Sequence, residues 1–493
     1  MSALLSGVVV KVGIYGILRL LTWLPPMPVA CAAVLLGTGV VSGVLGVLYA
    51  LAQHDLKRLL AYHTIENVGI IAIAISLGML GRSADAPALA VLGYGGALLH
   101  ITNHALFKGL LFLSAGAVLH GAGTLEIERL GGLAKRAPMN AALFLVGAVA
   151  ICGLPPLNGF VGEWVIYAGL ISGAATSVGA AGGLPAVGVF ALALMGSLAL
   201  ACFAKVFGVV FLGTPRDSAV RSRVTPPAMN AAMIALAVAC AFIGFAPGLW
   251  IPLTYGPVGT LVGVQSASIR GAYDSVLSPA ATLSSMAALF ACVCIALLLL
   301  RCLLGVPHGS RGRAALSKDV GTWGCGYAFP TARMQYTATS FALPLIRGFR
   351  ALLWPAFKTS APTGAFPRGG HVETHVPDLA EHDVFVPLFR GIAQVSAMFR
   401  HVTWSGAPAA DRPRLDAQGR VDPLRAVVDN TAEALRKGAI QVYLSYIVIT
   451  LILLFVIEAF VIQRGSPMPD RTATGPAACI GLEEWKRSNS PLP

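Results

Sequence analysis

AVLGYGGALLHITNHALFKGLLFLSAGAVLH, residues 90–120, is a long apolar stretch that also carries ionisable groups, and the fold is read outward from it. His100, His104 and Lys108 recur every four residues. At about 1.5 Å and 100° per residue, that spacing stacks them as a slowly turning column on one helix face, each step roughly 6 Å along the axis. The opposite face is Leu, Phe, Val and Ala. A cation facing lipid costs on the order of 3 kcal/mol or more, so such groups normally face a bundle interior and mark an ion path. Imidazole, with an ordinary pKa of about 6.5, exchanges protons near neutral pH. The plainer alternative has both histidines bonding neighbouring helices while Lys108 snorkels to the interface. Three such groups in register favour the ion path.

The composition agrees with a membrane chain. Of 493 residues, 56% are hydrophobic and 12% charged, with a mean hydropathy of +0.75, which excludes a soluble globular protein of ordinary composition. The net charge of +13 raises the question of nucleic acid, but the basic residues sit in short connectors between apolar spans and in one late segment, as the positive-inside rule expects. No nucleic-acid motif accompanies them. The nine cysteines are scattered and none has zinc or iron–sulfur spacing, so neither a metal nor a cofactor is expected. Cys292 and Cys294 read as small buried residues. The first apolar stretch lacks a cleavage site and has Lys11 at its centre, so it is not read as a signal peptide.

Residues 2–24, SALLSGVVVKVGIYGILRLLTWL, are long enough to span, with Lys11 near mid-depth. A start inside a span reads as a truncated one. Pro25 and Pro26 end this helix, and residues 28–52 form a second span rich in Gly, Ala and Val. A basic connector with Lys57 and Arg58 leads to a third span, about Leu60 to Leu80, where His63 and Glu66 are open to a capping or a functional role. After the column helix comes a second basic connector with Arg129, Lys135 and Arg136.

Residues 138–173 are apolar but interrupted by CGLPPLNGF. Pro155 and Pro156 remove two amide donors, and Gly153 and Gly159 loosen the backbone, which predicts a broken transmembrane helix. Non-helical backbone at membrane depth survives only where protein or a watery cavity satisfies it, so such a break often marks an ion site. Glu163 lies just beyond, and a carboxylate withdrawn from water can carry a proton. A simple proline kink with Glu163 facing headgroups is the alternative.

A span at 187–212 carries Lys205, which can snorkel or serve the ion path, and ends in a third basic loop containing Arg216. Spans at 228–246 and 282–303 follow, separated by a loop holding Arg270 and Asp274. Residues 304–437 turn polar and Arg-rich and are read as extramembrane. Within them MQYTATSFALPLIRGFRALL and VFVPLFRGIAQVSAMFRHV suit helices lying on the membrane or a partner. HVETH places His371 and His375 around Glu373, but its Pro and Gly-rich context argues against a metal site. A last span near 440–462, with Glu458 close to its end, precedes a polar tail. Lys and Arg concentrate in alternate connectors, around 57, 129–136 and 216–223, which places those loops, the N-terminus and the 304–437 segment in the cytoplasm.

At these residues the sequence resembles the antiporter-like membrane subunits of NADH:quinone oxidoreductase, Mrp cation/proton antiporters and membrane-bound hydrogenases. Four stretches across residues 1–250 carry the resemblance: SALLSGVVVKVGIYGILR, QHDLKRLLAYHTIENVG, LLHITNHALFKGLLFLSAG and GLPPLNGFVGEW. The later stretch from Thr322 to Pro344 resembles the large membrane subunit of formate hydrogenlyase and the fourth hydrogenase. The resemblance implies an all-α polytopic transmembrane helix bundle of about nine spans including one broken helix, the C-terminal half of the antiporter-like fold starting at its eighth helix. By motif position, Lys11 resembles the connecting lysine of that helix, His100, His104 and Lys108 the eleventh-helix relay, and Glu163 the site on the broken twelfth helix. The family's fifth-helix glutamate and seventh-helix lysine have no counterpart.

The resulting organisation is an antiporter-like proton-channel domain at 1–250, a further transmembrane span within 251–303, an extramembrane segment at 304–437, a last span at 438–463 and a polar tail at 464–493. The function expected is proton translocation through Lys11, His100, His104, Lys108 and Glu163, with Glu66 and Lys205 as further candidates. It is driven by redox chemistry in partners: other membrane subunits and a peripheral nickel–iron hydrogenase-like or quinone-reducing arm, in a bacterial inner membrane. No redox site is expected in this chain. A cation/proton antiporter without electron transfer and a non-conducting membrane anchor are the rivals.

Overall fold

The computed structural model describes residues 1–176, 180–217, 220, 224–303, 331–360, 371–378 and 386–391. Helix α1 (Ser2–Trp23) contains a π turn at Leu5–Val9. It is followed by α2 (Val29–Ala52), α3 (Leu56–Ser83) and the column helix α4 (Pro87–Ala122). Local chemistry sets the ends. Asp55 caps α3 by accepting from the Arg58 amide at 2.9 Å, Pro87 starts α4, and Gly123 closes it at φ 75°. Next come α5 (Pro138–Ile151), α6 (Asn158–Thr176), α7 (Ala180–Val210), α8 (Pro227–Phe245) and α9 (Ser266–Leu303).

Among the described residues, six helices are long and apolar enough to cross a membrane, namely α1 to α4, α7 and α8. The break expected in CGLPPLNGF is the non-helical stretch between α5 and α6, with a cis Pro155–Pro156 bond. Helices α2, α3 and α4 are packed at backbone distance. A Cβ on Gly69 would lie 2.5 Å from the Gly39 carbonyl, one on Gly46 2.7 Å from the Glu66 amide, and one on Gly93 2.2 Å from the Gly78 amide. This is small-residue packing, which stabilises helix contacts where lipid offers no hydrophobic drive.

Four expectations change, the simplest being Cys292, read as buried but exposed on α9. Arg270 and Asp274 lie inside α9 and not in a loop, because Ile269 and Tyr273 on the same helix are fully buried against the bundle and carry the helix through this stretch. The Arg-containing stretch at 338–348 forms α10 (Ala338–Gly348), and its apolar stripe of Ala338, Ala342 and Ile346 is buried against α2 and α7 of this same chain instead of lying free for lipid. Residues 356–360 and 371–375 pair as a small antiparallel hairpin, β1 (Ala356–Ser360) and β2 (His371–His375), so HVETH is a strand. No group of three or more metal-ligating side chains occurs among the described residues. Residues 386–391 are helical. The expected span at 440–462, the tail and most of 304–437 lie outside the described residues.

The three basic connectors meet at one end of the bundle. Leu56 and Ile127 amides bond the Leu125 and His54 carbonyls, Gly132 and Ala134 amides bond Leu212 and Phe211, and Arg129 pairs with Asp217 at 2.8 Å. Glu128 is the centre of this end. Its carboxylate accepts from the Ala338 and Thr339 amides and the Thr339 hydroxyl at the start of α10, and His54 lies 3.6 Å away. Burial pushes the Glu128 carboxyl up, but the bonds from His54 and Thr339 outweigh it and hold the group at about 2.

Candidate functional site

The residues singled out from the sequence come together in the interior of the bundle. His100, His104 and Lys108 are all at 0% exposure and Lys11 at 9%. The rings of His100 and His104 are parallel, with centroids 6.5 Å apart, as the four-residue spacing predicts. Lys108 donates to the Leu60 carbonyl of α3 and lies 5.7 Å from the centre of the Phe112 ring. Lys108 therefore does not snorkel. It is held inside by a carbonyl and an aromatic face.

Lys11 is placed by the π turn. Its amine donates to the Ser6 carbonyl, and the Ser6 hydroxyl meets that of Thr64 at 2.7 Å, tying α1 to α3. Gly7 lets α1 approach α4, since a Cβ there would sit 3.2 Å from the Ala105 carbonyl. Lys11 is within electrostatic range of both His100 and His104.

His63 and Glu66 form a buried pair one turn apart, His63 Nδ1 against Glu66 Oε2. Helix α3 already starts at Leu56 under the Asp55 cap, so the capping role left open for this pair is excluded. Asn67 joins the pair to the column and fixes a tautomer. Its Nδ2 donates to the His63 carbonyl at 2.8 Å, which turns Oδ1 toward His100 Nε2 at 3.1 Å. An amide oxygen only accepts, so His100 carries its hydrogen on Nε2 and presents Nδ1 as a free acceptor.

The helix break is tied to the same column. Asn103 Nδ2 donates to the Asn158 carbonyl at 2.8 Å, and Asn158 Nδ2 returns to Asn103 at 3.3 Å, both side chains being fully buried. Beyond the break Gly162 lies against His100 and Asn103. The partly buried Glu163 rests on Gly153, whose φ is +62° and where a Cβ would fall 2.3 Å from Glu163 Oε2. Pro155 and Pro156 lie in the break, and Gly159 in the first turn of α6 backs onto the Ala150 carbonyl.

Lys205 is 1% exposed, and its amine is turned inward to the Leu51 and Gln53 carbonyls at 2.6 and 3.4 Å. The snorkelling reading is corrected, because the last carbonyls of α2 offer the amine closer acceptors. Several polar members were not singled out in advance: Ser6, Thr64, Asn67, Asn103 and Asn158. Their signal was a polar residue at helical spacing from an ionisable one, as Asn67 stands four residues from His63.

The ring nitrogens show what the arrangement can do. His63 Nε2, His100 Nδ1 and both nitrogens of His104 are buried without a protein partner. Leaving such atoms unsatisfied costs about 1–3 kcal/mol each, and buried polar atoms of this kind normally hold water. Imidazoles with one free nitrogen, linked by water, can pass protons along a line.

Residues 1–187 match the family described as NADH:quinone oxidoreductase/Mrp antiporter, transmembrane. Over these residues the chain is similar to that family. Lys11, His63, Glu66, His100, His104, Lys108 and Glu163 all fall within the antiporter-like match. Among curated proteins the chain is similar to hydrogenase-4 component B of Escherichia coli K12, 39% identical over 363 residues covering 71% of this chain and 52% of that one. Formate hydrogenlyase subunit 3 of the same organism is 39% identical over 358 residues, 71% of this chain and 55% of the relative. The chain thus spans about half the length of these antiporter-like relatives. A solved archaeal membrane-bound sulfane sulfur reductase aligns with 52% of this chain and 40% of its own at 26% identity, with a TM-score of 0.44. Helix content, apolar spans and family together make this a polytopic membrane protein.

Proposed function

We propose that this chain is a proton-translocating membrane subunit of a hydrogenase-type or quinone-reducing complex. Protons pass through Lys11, the His100–His104–Lys108 column and Glu163, with the His63–Glu66 pair beside the column, and redox chemistry in partner subunits drives them. The observation that carries the reading is the buried column itself: three ionisable groups in register at zero exposure, with His104 free of protein partners on both nitrogens. A packing role does not account for a fully buried imidazole with no protein partner on either nitrogen. The similarity to hydrogenase-4 component B and formate hydrogenlyase subunit 3 supports redox-driven partners, other membrane subunits and a peripheral arm. The bacterial cell membrane is the setting these relatives suggest. The connector end, with Lys57, Arg129, Lys135, Arg136 and Arg216, faces the cytoplasm on the positive-inside rule.

The test is proton uptake into vesicles carrying the complex purified through this chain. Redox-driven acidification that Lys11→Ala abolishes supports the proposal. Flux with no nickel–iron or quinone-reducing partner in the purified complex would support a stand-alone cation/proton antiporter, and absence of any flux a structural anchor.

A further inference from the structure

We propose that the cavity between α7 and α10 is an aqueous intake, with Lys205 in its wall passing protons from the connector end of the bundle to the His63–Glu66 pair. This deepens the proton-path reading and rests on it. The cavity measures about 390 Å³ and is lined by Lys205, Gly208, Arg216, Tyr336 and Phe341 among others, which is room for roughly a dozen waters at their liquid volume. It is therefore large enough to bring bulk water to the wall of α7 beside Lys205, whose amine has to turn from the Leu51 carbonyl to meet that water.

Holding the end of α2 explains why the Lys205 amine points inward, but not what surrounds it. Cys202, three residues earlier on the same helix, is fully buried. The neighbouring Phe203 ring packs on His63 with centroids 4.7 Å apart. His63 thus touches α7 within one turn of Lys205, and both Lys205 and Cys202 are within electrostatic range of it. His63 has the two-sided arrangement a relay needs, Nδ1 on Glu66 and the other side of the ring toward the buried Cys202 thiol. On the surface side stand an ionised carboxylate and an imidazole. Glu128 is within range of both Lys205 and Arg216, and His54 directly follows Gln53, whose carbonyl Lys205 holds.

Each step moves one proton and no electrons. A hydronium in the cavity gives its proton to the neutral Lys205 amine. The ammonium then gives one through water to His63 Nε2, and the imidazolium releases the other from Nδ1 to the Glu66 carboxylate, restoring the neutral ring. Arginine can hold the α2 carbonyls equally well but cannot release a proton.

The experiment uses the full chain in its complex, in sealed vesicles with the connector end outward. Gly208→Cys has room for its side chain and is treated with a charged, membrane-impermeant thiosulfonate. Lys205→Arg and Lys205→Gln are measured for flux alongside Lys11→Ala. The expected results are labelling of Gly208→Cys with at least a fivefold loss of flux, and at least a tenfold loss in both Lys205 variants with normal assembly. Normal flux in Lys205→Arg overturns the relay and leaves Lys205 as a helix-end anchor. Reaction of Gly208→Cys only with a lipid-soluble maleimide overturns the aqueous cavity, whether or not the Lys205 variants assemble. If Lys11→Ala abolishes flux and Lys205→Arg does not, the intake alone fails. If neither changes flux, the proton path itself fails with it.

Discussion

The amine of Lys11 donates to the backbone carbonyl of Ser6, five residues earlier, across a π turn of the same helix. Single π turns are frequent at functional sites because they release a carbonyl from the regular ladder, and here that carbonyl holds an amine within electrostatic range of both histidines. Lys11→Ala should lower proton flux at least tenfold while the complex assembles normally, and Glu163→Gln should do the same. Unchanged flux in both variants, read by a pH-sensitive dye in vesicles, removes them from the path.

His104 is expected to relay protons and not merely to fill space. Glutamine matches its size and keeps a donor and an acceptor, but cannot take up a proton at neutral pH. His104→Gln should therefore preserve assembly and thermal stability and lose most of the flux. Near-normal pumping in that variant would leave His104 as a spacer beside water.

The amide pair across the helix break should matter for stability first. Asn103→Ala removes the 2.8 Å bond to the Asn158 carbonyl together with an acceptor, whereas Asn158→Ala removes only the longer return bonds. The expected cost is about 1–3 kcal/mol for Asn103→Ala and less for Asn158→Ala. Thermal unfolding of the detergent-solubilised complex checks the order, and equal loss in both contradicts it.

Gly153 occupies left-handed backbone directly beneath the Glu163 carboxylate. Gly153→Ala introduces strain of about 1–3 kcal/mol and displaces Glu163. Flux should fall with this variant even though no ionisable group has been changed, which a flux assay of normally assembled complex reveals.

Glu128 gives the docking of α10 a pH dependence. Its carboxyl is held at about 2, below the ordinary 4.5, so the folded state favours the ionised form. The contribution is full above the unfolded value near 4.5 and is lost as pH falls toward 2, on the order of 3 kcal/mol over that window. Limited proteolysis between 331 and 360 should accelerate below pH 4 in the parent chain, and Glu128→Gln should show that sensitivity already at pH 7. A pH-independent rate contradicts the linkage.

The bundle and the placement of most of the candidate site were legible because both rest on repetition. The four-residue recurrence of His100, His104 and Lys108, and the glycines and prolines of CGLPPLNGF, are one-dimensional patterns that map directly onto a helix face and a helix break. What escaped was chemistry between helices. Nothing in the order of residues says that Asn103 meets Asn158 across 55 positions, or that Lys205 reaches back to Leu51 across 154. Arg270 and Asp274 were misplaced because a charged pair looks like a connector until buried Ile269 and Tyr273 are seen to carry the helix through it. The strands at 356–360 and 371–375 escaped because five-residue strands have too short a pattern to outweigh their Pro and Gly-rich setting.

The glycine contacts that join α2, α3 and α4 bear on how such a machine can move. Where Gly39 and Gly43 meet Gly69, and Gly78 meets Gly93, main chain rests on main chain. Close-packed elements of that kind transmit force without yielding. The stator of this device is its backbone. On the proposed proton path, gating then falls to the side chains that line the column, the imidazole rings of His100 and His104 above all.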